Sequence, residues 1–260
     1  MSIDIRATAE TLWSLWQKGE VIEALPVRQR PTTRGEGYAA QAELDRLSGN
    51  TRVGWKIAAT SVAGQKHIGV DGPLAGRIFA GRLHRPGAML PIAHNRMRVA
   101  EPEFAFRFGR TLLPRTTPYS QPEVMAAVAT LHLAIELPDS RFADFARVGG
   151  PSLIADNACA HELVLGNAVG ADWRALDLSQ HRVRARVGTR YERDGVGANV
   201  LGDPLIALTW IVNELSALGI AMAEGEFVTT GTCAVPLEIL PGDHVRADFG
   251  SLGTIDARVT

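Results

Sequence analysis

Two glutamates lie one residue apart in an otherwise apolar stretch, VAEPEFAF, at residues 99–106. In a strand, successive side chains point to opposite faces, so Glu101 and Glu103 share one face while Phe104 and Phe106 share the other. The aromatic face predicts a packed strand. Its acidic face has two interpretations: a solvated face of an antiparallel sheet, or half of a site that binds a cation.

A third acid, Glu136, occurs in a second apolar run, LHLAIELPDS, at residues 131–140. Carboxylates are seldom buried without a partner, because an ion pays a large desolvation cost. Residues i and i+2 of a strand lie about 6.5 Å apart, which lets two glutamates converge on one ion. Oxygen ligands favour Mg²⁺ or Mn²⁺ over Zn²⁺. Alternation also places His132 on the face of Glu136, either as a site residue or as a hydrogen-bonded core histidine.

One lysine lies in a strand-like segment, VGWKIAAT, where Lys56 shares a face with Gly54 and Ala58. A surface lysine with a buried stem is one interpretation. A partly desolvated lysine beside a metal, with a lowered pKa and an acid/base role, is the other. Farther along, Asp156 and Asn157 interrupt an apolar run, and their local pattern indicates a cap or a turn.

Helical spacing of apolar residues predicts helices at 5–17 and 37–47, so residues 1–50 are expected to form a helical cap. A further helix is predicted after Gln121-Pro122. Another is predicted at 203–218, with Asp203 as its cap and Pro204 in its first position.

From residue 51 onward the pattern becomes mostly β, and residues 51–260 are expected to form one mixed-β catalytic domain. Strands are predicted at VGWKIAA, MRVAEPEFAF, LHLAIEL, HELVLG, HRVRARV, EFVTTG, HVRADF and TIDARV. Turn residues DG at 194–195 and PGD at 241–243 predict hairpins. The predicted fold class is therefore α+β, with a mixed, largely antiparallel β roll or barrel.

Composition and charge exclude several classes of function. The 260 residues carry 27 basic and 28 acidic side chains, for a net charge of -1, so nucleic acid and anionic membrane surfaces are not expected partners. No apolar run approaches the roughly 20 residues of a membrane span, and the N-terminal residues do not resemble a signal peptide, so we expect a cytoplasmic protein. Cys159 and Cys233 lack metal-binding spacing. The GxGxxG, HExxH and GxSxG motifs are absent.

Several segments, taken in order, resemble one known family. They are GWKIAATS, GV-x-x-P-x-x-G, EPEFAF, AIELPDSR, ADNACAHELVLG and TGTCAVPLEILPGDHVRADFGSLG. Each segment alone is weakly specific, but the ordered set is similar to the 2-keto-4-pentenoate hydratase and 4-oxalocrotonate decarboxylase group of the fumarylacetoacetate hydrolase superfamily. The resemblance runs from about residue 50 to the C-terminus, and the helical region before it also resembles that group.

The resemblance implies a fold of the fumarylacetoacetate hydrolase type and a small 2-oxo acid as substrate. It also implies a homo-oligomer, with a homologous decarboxylase or hydratase as an alternative partner. The implied metal is Mg²⁺ or Mn²⁺, and Lys56 is the implied catalytic acid/base. The implied metal ligands are Glu101, Glu103 and Glu136, and the implied substrate-binding residues are Asp156, Asn157, Thr230, Gly231 and Thr232.

The sequence also departs from the family pattern at two places. Leu74 stands where many hydratases have the acid of PDFG, and Ala158-Cys159-Ala160 replaces residues that are often serines. Asp71, three residues before Leu74, is therefore a candidate substitute in catalysis.

The predicted function is a divalent-metal-dependent hydratase that adds water to a 2-hydroxy-2,4-dienoate in the catabolism of aromatic compounds. The alternatives are a decarboxylase of a 4-oxalocrotonate-like acid, a carbon–carbon hydrolase of the same superfamily, and a non-catalytic protein that binds a 2-oxo acid.

Overall fold

The computed structural model describes residues 3–260, and its N-terminal part is helical. Three helices precede the first strand: α1 (Ile5–Lys18), α2 (Arg34–Ala42) and α3 (Leu44–Leu47). Asp4 caps α1 by accepting a hydrogen bond from the Ala7 amide, and Gly19 ends the helix in a left-handed conformation. Both predicted N-terminal helices are confirmed, the second as two shorter helices.

Four further helices connect the strands: α4 (Val62–Ile68), α5 (Gln121–Ala127), α6 (Gly150–Ala155) and α7 (Pro204–Ala217). Helix α7 begins as predicted, because the Asp203 side chain accepts a hydrogen bond from the Leu205 amide and Pro204 occupies the first helical position. The sequence did not predict α4 and α6, which are only seven and six residues long. Short helices present too few turns for an apolar stripe to be recognised.

Thirteen strands form two sheets within residues 3–260. They are β1 (Arg52–Ala58), β2 (Leu74–Phe79), β3 (Leu83–His84), β4 (Met89–Leu90), β5 (Val99–Phe108), β6 (Val128–Leu137), β7 (Glu162–Ala168), β8 (Arg182–Val187), β9 (Tyr191–Val196), β10 (Phe227–Thr232), β11 (Leu237–Glu238), β12 (His244–Asp248) and β13 (Thr254–Val259). The larger, curled sheet has the order β2-β1-β10-β5-β6-β7-β3, with β11 also paired to β5, and the smaller has the order β4-β13-β12-β8-β9. Only β1–β10, β3–β7 and β4–β13 pair in parallel among the described strands. The predicted mixed, largely antiparallel α+β fold is confirmed, as are all eight predicted strands.

The two predicted hairpin turns are wrong in different ways. Strands β8 and β9 do form a hairpin, but it turns at 188–190, and Gly195 pairs with Val183 inside β9. A Cβ atom at Gly195 would lie 2.2 Å from the Cys233 carbonyl oxygen, so the glycine serves a close backbone approach rather than a turn. Residues 241–243 do contain a turn, but it joins β11 to β12, which belong to different sheets.

The aromatic face of β5 is buried in the main core. The Phe104 ring packs edge-on against Phe249, with ring centroids 5.2 Å apart. Phe106 packs against Trp173 in the same way. The opposite face of the larger sheet carries a separate, smaller cluster that includes Ala105 and Ala134. The two faces of β5 therefore have different surroundings, and the glutamates lie on the face with small neighbours.

The N-terminal helices pack onto the strand-rich part of the chain. Gln41 of α2 is buried and donates hydrogen bonds to the carbonyl oxygens of Ala75 and Ile154, at 2.7 and 2.9 Å. These contacts join the two segments closely. The division of the chain into a cap at 1–50 and a catalytic domain at 51–260 stays a prediction. No helix within residues 3–260 has the length and apolar character needed to cross a membrane.

Candidate metal and active site

Three carboxylates converge on the face of the larger sheet that carries the small side chains. The antiparallel register of β5 and β6 places Glu101 directly opposite Glu136 and Glu103 opposite Ala134. One oxygen atom from each glutamate lies within 4.8 Å of the other two. Glu103 and Glu136 are completely buried, whereas Glu101 is partly exposed, so the cluster approaches solvent on the side of Glu101.

Most of the buried oxygen atoms of this cluster have no hydrogen-bond partner. Glu103 Oε2 accepts a hydrogen bond of 2.7 Å from the Gly231 amide. Glu103 Oε1 and both carboxylate oxygens of Glu136 accept no hydrogen bond, although Glu136 Oε1 forms an ion pair with Lys56 Nζ at 3.1 Å. Buried polar atoms nearly always have hydrogen-bond partners in folded proteins, so these carboxylate oxygens have the features of a ligand-binding site.

The electrostatics of the cluster also favour the binding of a positive charge. Burial, and then the charge of Glu136, raise the pKa of Glu101 to about 7. The same two causes raise the pKa of Glu103 well above its ordinary value. Like charges directly opposite each other destabilise a sheet, and low dielectric strengthens the repulsion. A bound cation would remove this cost.

Lys56 reaches the cluster from β1. Its Nζ lies 3.1 Å from Glu136 Oε1 and donates a hydrogen bond of 3.2 Å to the Ala158 carbonyl oxygen. Only 3% of its surface is exposed, so the surface-lysine interpretation is wrong. Burial disfavours the ammonium form, but the charges of Glu136 and Glu101 outweigh that effect and raise the pKa of Lys56. The pKa of Lys56 is therefore raised, whereas the sequence interpretation expected it to be lowered.

The residues fit a divalent cation in both charge and chemistry. Three ionised carboxylates and one ammonium leave two negative charges, which one divalent ion would balance. The donor atoms are all oxygens, the ligands of hard cations such as Mg²⁺, Mn²⁺ and Ca²⁺. Glu101, Glu103 and Glu136 can therefore hold a divalent metal. One carboxylate oxygen of each glutamate lies close enough to the other two for all three to bind the same ion.

A left-handed turn holds the partner of Lys56. Asn157, Ala158 and Cys159 have φ angles of 55°, 49° and 62°, which non-glycine residues seldom adopt. The Asn157 side chain fixes the turn, because its Oδ1 accepts from the Arg77 amide at 2.7 Å and its Nδ2 donates to the Arg77 carbonyl at 2.9 Å. A Cβ atom at Gly76 would lie 2.3 Å from the Asn157 carbonyl oxygen, so the turn also requires a glycine on β2.

Asp156 is held just as firmly. Its Oδ2 accepts hydrogen bonds from Ser140 Oγ at 2.7 Å and from the Arg141 amide at 3.0 Å, and the Arg141 guanidinium binds Oδ1. The side chains of Asp156 and Asn157 are thus bonded within the protein. These hydrogen bonds hold the turn beside Lys56 in place. Contact of Asp156 and Asn157 with substrate stays a prediction.

The TGT segment at 230–232 lies at a β-bulge in β10. Thr229 pairs with Ala105 and Thr232 pairs with Glu103, so β10 has one more residue than β5 across this interval. Gly231, with φ of 101°, donates its amide to Glu103 and thereby touches the cluster. The Thr230 hydroxyl donates to the Phe104 carbonyl, and the Thr232 hydroxyl donates to the Ala234 carbonyl.

Three other predicted or discussed residues do not belong to the cluster. Asp71 is exposed in the loop before β2 and is not among the clustered acids. His132 is a hydrogen-bonded histidine, with Nδ1 2.9 Å from the Gly166 carbonyl and Nε2 2.8 Å from Thr130 Oγ1, and burial lowers its pKa. Leu74 is completely buried and pairs with Ala58, on the face of Lys56, so the wall beside the lysine is apolar there.

The curled sheet holds three converging glutamates, two of them completely buried, and a buried lysine on one face, so these residues can hold a divalent metal. The chain belongs to the fumarylacetoacetate hydrolase family, because residues 69–260 match the family described as fumarylacetoacetate (FAA) hydrolase C-terminal. The resemblance seen in the sequence and the predicted fold type are thereby confirmed.

The chain is similar to named hydratases and decarboxylases. It is 31% identical to a 2-keto-4-pentenoate hydratase of Paraburkholderia xenovorans (strain LB400), over 95% of this chain and 91% of the relative. It is 29% identical to a 4-oxalocrotonate decarboxylase of Pseudomonas sp, over 84% of this chain and 86% of the relative. The solved structure of 4-oxalocrotonate decarboxylase from Pseudomonas putida G7, complexed with magnesium and adipate, superposes with a TM-score of 0.89 at 25% identity and covers 98% of this chain and 97% of that one.

Proposed function

We propose that the protein is a divalent-metal-dependent hydratase that adds water to a 2-hydroxy-2,4-dienoate of the 2-oxo-4-pentenoate type. The observation that carries the proposal is the buried lysine 3.1 Å from Glu136, which is one of three converging glutamates. Relatives named 2-keto-4-pentenoate hydratase support it, and so does a relative named TodF product hydratase, at 28% identity. A role in the catabolism of aromatic compounds follows from the same substrate class.

Glu101, Glu103 and Glu136 would hold the cation. A divalent cation bound there supplies an electron sink for the adjacent carboxylate and carbonyl oxygens of a 2-oxo acid. Mg²⁺ or Mn²⁺ is the proposed ion, because both prefer the oxygen ligands that these residues offer and a neighbouring structure contains magnesium.

Lys56 is the group that can move a proton in this site. Ketonisation of a 2-hydroxydienoate needs a proton delivered to carbon, and addition of water needs a second proton transfer. The Lys56 ammonium is oriented by Glu136 and by the Ala158 carbonyl, so its Nζ is fixed in place before substrate enters. Burial keeps bulk water away from Nζ, which favours transfer to a bound molecule.

A proton NMR time course tests the proposal. Metal-stripped protein is mixed with 2-hydroxypenta-2,4-dienoate, before and after addition of Mg²⁺ or Mn²⁺. We expect 4-hydroxy-2-oxopentanoate to form only with the metal, and Lys56→Met to abolish its formation. Turnover that persists in metal-free protein would contradict the proposal.

A decarboxylase of a 4-oxalocrotonate-like acid is the second candidate. The apolar wall at Leu74, where the family hydratases often have an acid, favours it, because loss of carbon dioxide does not require water to be positioned there. The same time course with 4-oxalocrotonate separates the two: loss of carbon dioxide in that tube, with no hydration in the first, would assign the decarboxylase.

We also propose a homo-oligomer, on the family resemblance alone. Light scattering coupled to gel filtration tests it, and a mass of one chain at micromolar concentration would contradict it.

A further inference from the structure

One buried polar atom near the site is not explained by any residue assigned so far. Within residues 3–260, four buried side-chain atoms lack a hydrogen-bond partner. Three are the carboxylate oxygens of Glu103 and Glu136 described above, and the fourth is Oγ1 of Thr229. An unpaired buried hydroxyl is costly, so a structure that retains one requires a physical reason.

The strand register places Thr229 on the face of the carboxylates. In the parallel pair of β1 and β10, Thr229 is the partner of Lys56. In the antiparallel pair of β10 and β5, it is the partner of Ala105, which shares a face with Glu103. Two independent pairings thus direct the Thr229 side chain to the face of Lys56 and Glu103.

Neighbouring threonines of the same strand differ from Thr229. The Thr230 hydroxyl donates a hydrogen bond of 3.2 Å to the Phe104 carbonyl, and the Thr232 hydroxyl donates one of 2.7 Å to the Ala234 carbonyl. Both hydroxyls are therefore satisfied by the protein itself. Thr229 is fully buried and has no such acceptor.

The buried cluster on this face is apolar. It contains Ile78, Ala105, Ala134, Ala160, Leu163 and Phe227. None of these side chains can form a hydrogen bond with the Thr229 hydroxyl. A molecule bound on the face of Lys56 and Glu103 would give that hydroxyl a partner.

We propose that Thr229 is a further active-site residue, whose hydroxyl forms a hydrogen bond with an oxygen atom of a molecule bound beside Lys56 and the three glutamates. This inference rests on the proposed function. The oxygen atom belongs either to the water that is added or to the 2-oxo acid itself, and both can pair with a hydroxyl group.

Three variants of the 260-residue protein test the inference. Thr229→Val removes the hydroxyl while keeping the shape, and Thr229→Ser restores it. Thr8→Val is the control, because Thr8 of α1 is also fully buried and its hydroxyl is bonded to the carbonyl oxygens of Asp4 and Gln29. The measurements are kcat/KM for 2-hydroxypenta-2,4-dienoate with Mg²⁺, affinity for the unreactive 2-oxopentanoate, and melting temperature without metal.

We expect Thr229→Val to lose roughly five- to tenfold in kcat/KM, the effect of one neutral hydrogen bond, and Thr229→Ser to stay within about twofold of wild type. Thr229→Val should not lower the melting temperature, because its hydroxyl has no partner in the protein. Thr8→Val should lower the melting temperature, because it removes the hydrogen bonds of the Thr8 hydroxyl within the protein, and it should keep kcat/KM.

The affinity for 2-oxopentanoate distinguishes the two sources of the oxygen atom. An unchanged affinity with a reduced kcat assigns the added water, whereas a parallel loss of affinity assigns the 2-oxo acid. Wild-type kcat/KM and affinity in Thr229→Val would overturn the inference. If the wild-type protein itself neither turns over the dienoate nor binds 2-oxopentanoate, the proposed function fails and this inference fails with it.

Discussion

Each of the two sheets carries a charged face, and the two faces arrange their charges differently. On the smaller sheet, acids have partners on the neighbouring strand: the Arg184 guanidinium lies 2.9 Å from Asp194, and His244 Nε2 forms a hydrogen bond of 2.8 Å with Asp256. On the larger sheet, Glu101 lies directly opposite Glu136. The first arrangement suits a solvated surface, whereas the second destabilises the fold unless a ligand is bound.

Like charge alone does not mark a site. Arg186 lies opposite Arg246 on the smaller sheet, but both side chains are exposed, and water screens their repulsion. Glu103 and Glu136 are completely buried and lack hydrogen-bond partners for most of their oxygens. Burial together with unsatisfied like charges is the feature that identifies the functional face.

The largest expected effect comes from matched acid-to-amide changes on the two sheets. Glu103→Gln removes a proposed metal ligand, so we expect loss of Mg²⁺ binding and at least roughly a thousandfold loss of kcat/KM, as for other groups that act together in a site. Asp194→Asn on the smaller sheet should change neither. Calorimetric titration with Mg²⁺ and steady-state kinetics measure both. Mg²⁺ binding by Glu103→Gln with wild-type affinity would remove the distinction between the two faces.

Replacement of the lysine separates catalysis from metal binding. Lys56→Met keeps most of the length of the side chain and removes its ammonium group, so turnover should fall by roughly 10²- to 10⁴-fold, the range of a general acid/base. Affinity for Mg²⁺ should not fall, because the substitution removes the positive charge of Lys56, which repels a cation bound by the glutamates. If Lys56→Met loses metal binding and turnover together, Lys56 acts through the metal site and not as the proton carrier.

The left-handed turn beside Lys56 should be sensitive to a single methyl group. Gly76→Ala brings a Cβ atom to 2.3 Å from the Asn157 carbonyl oxygen, so we expect a loss of about 1–3 kcal/mol in the free energy of unfolding and a reduced kcat. Gly72→Ala is the control, because a Cβ atom there meets nothing within 4 Å. Urea denaturation compares the two variants, and equal stabilities would show that the turn tolerates movement.

The smallest predicted effect concerns pH in the absence of metal. The pKa of Glu101 is raised from 4.5 to about 7 by burial and by Glu136, so the native state keeps a proton that the unfolded chain has lost. Stability of the metal-free protein should therefore fall as pH rises from about 4.5 to about 7. Mg²⁺ should offset the fall, because it binds the deprotonated carboxylates. Melting temperatures from pH 5 to 8, with chelator or with Mg²⁺, test this sign, and Glu101→Gln should weaken the dependence.

Local periodicity was sufficient to predict the acidic face. Alternation along β5 assigned Glu101 and Glu103 to one face and the phenylalanines to the other, and the core contacts of Phe104 agree with that assignment. Strand alternation depends only on neighbouring residues, so a single sequence contains it. The pairing of Glu101 with Glu136 depends on the register of two distant segments, and only the family resemblance supplied it.

The site residue that sequence reasoning missed is Thr229. A bulge at Gly231 shifts the alternation of β10, so Thr229 and Thr232 face the same side although they are three residues apart. The motif drew attention to Thr230, whose hydroxyl is bonded to backbone. A run of threonines before a Gly-Thr pair is the only sequence signal, and it does not specify which hydroxyl is free.

One predicted turn is wrong because a glycine allows two backbone segments to lie close together. Asp194-Gly195 has the composition of a hairpin turn, yet Gly195 lies inside β9 because the Cys233 carbonyl occupies the space of a side chain. Asp156 and Asn157 have the composition of a turn, which the structure does contain. Their partners, Arg141 and Arg77, are distant in the sequence and could not be identified from it.

The most direct test of the central claim is an anomalous difference map from crystals grown with Mn²⁺. The account predicts one strong peak within bonding distance of Glu101, Glu103 and Glu136, and no peak there in crystals of Glu103→Gln. A map without density between these carboxylates, or with the ion bound only at the charged face of the smaller sheet, would contradict it.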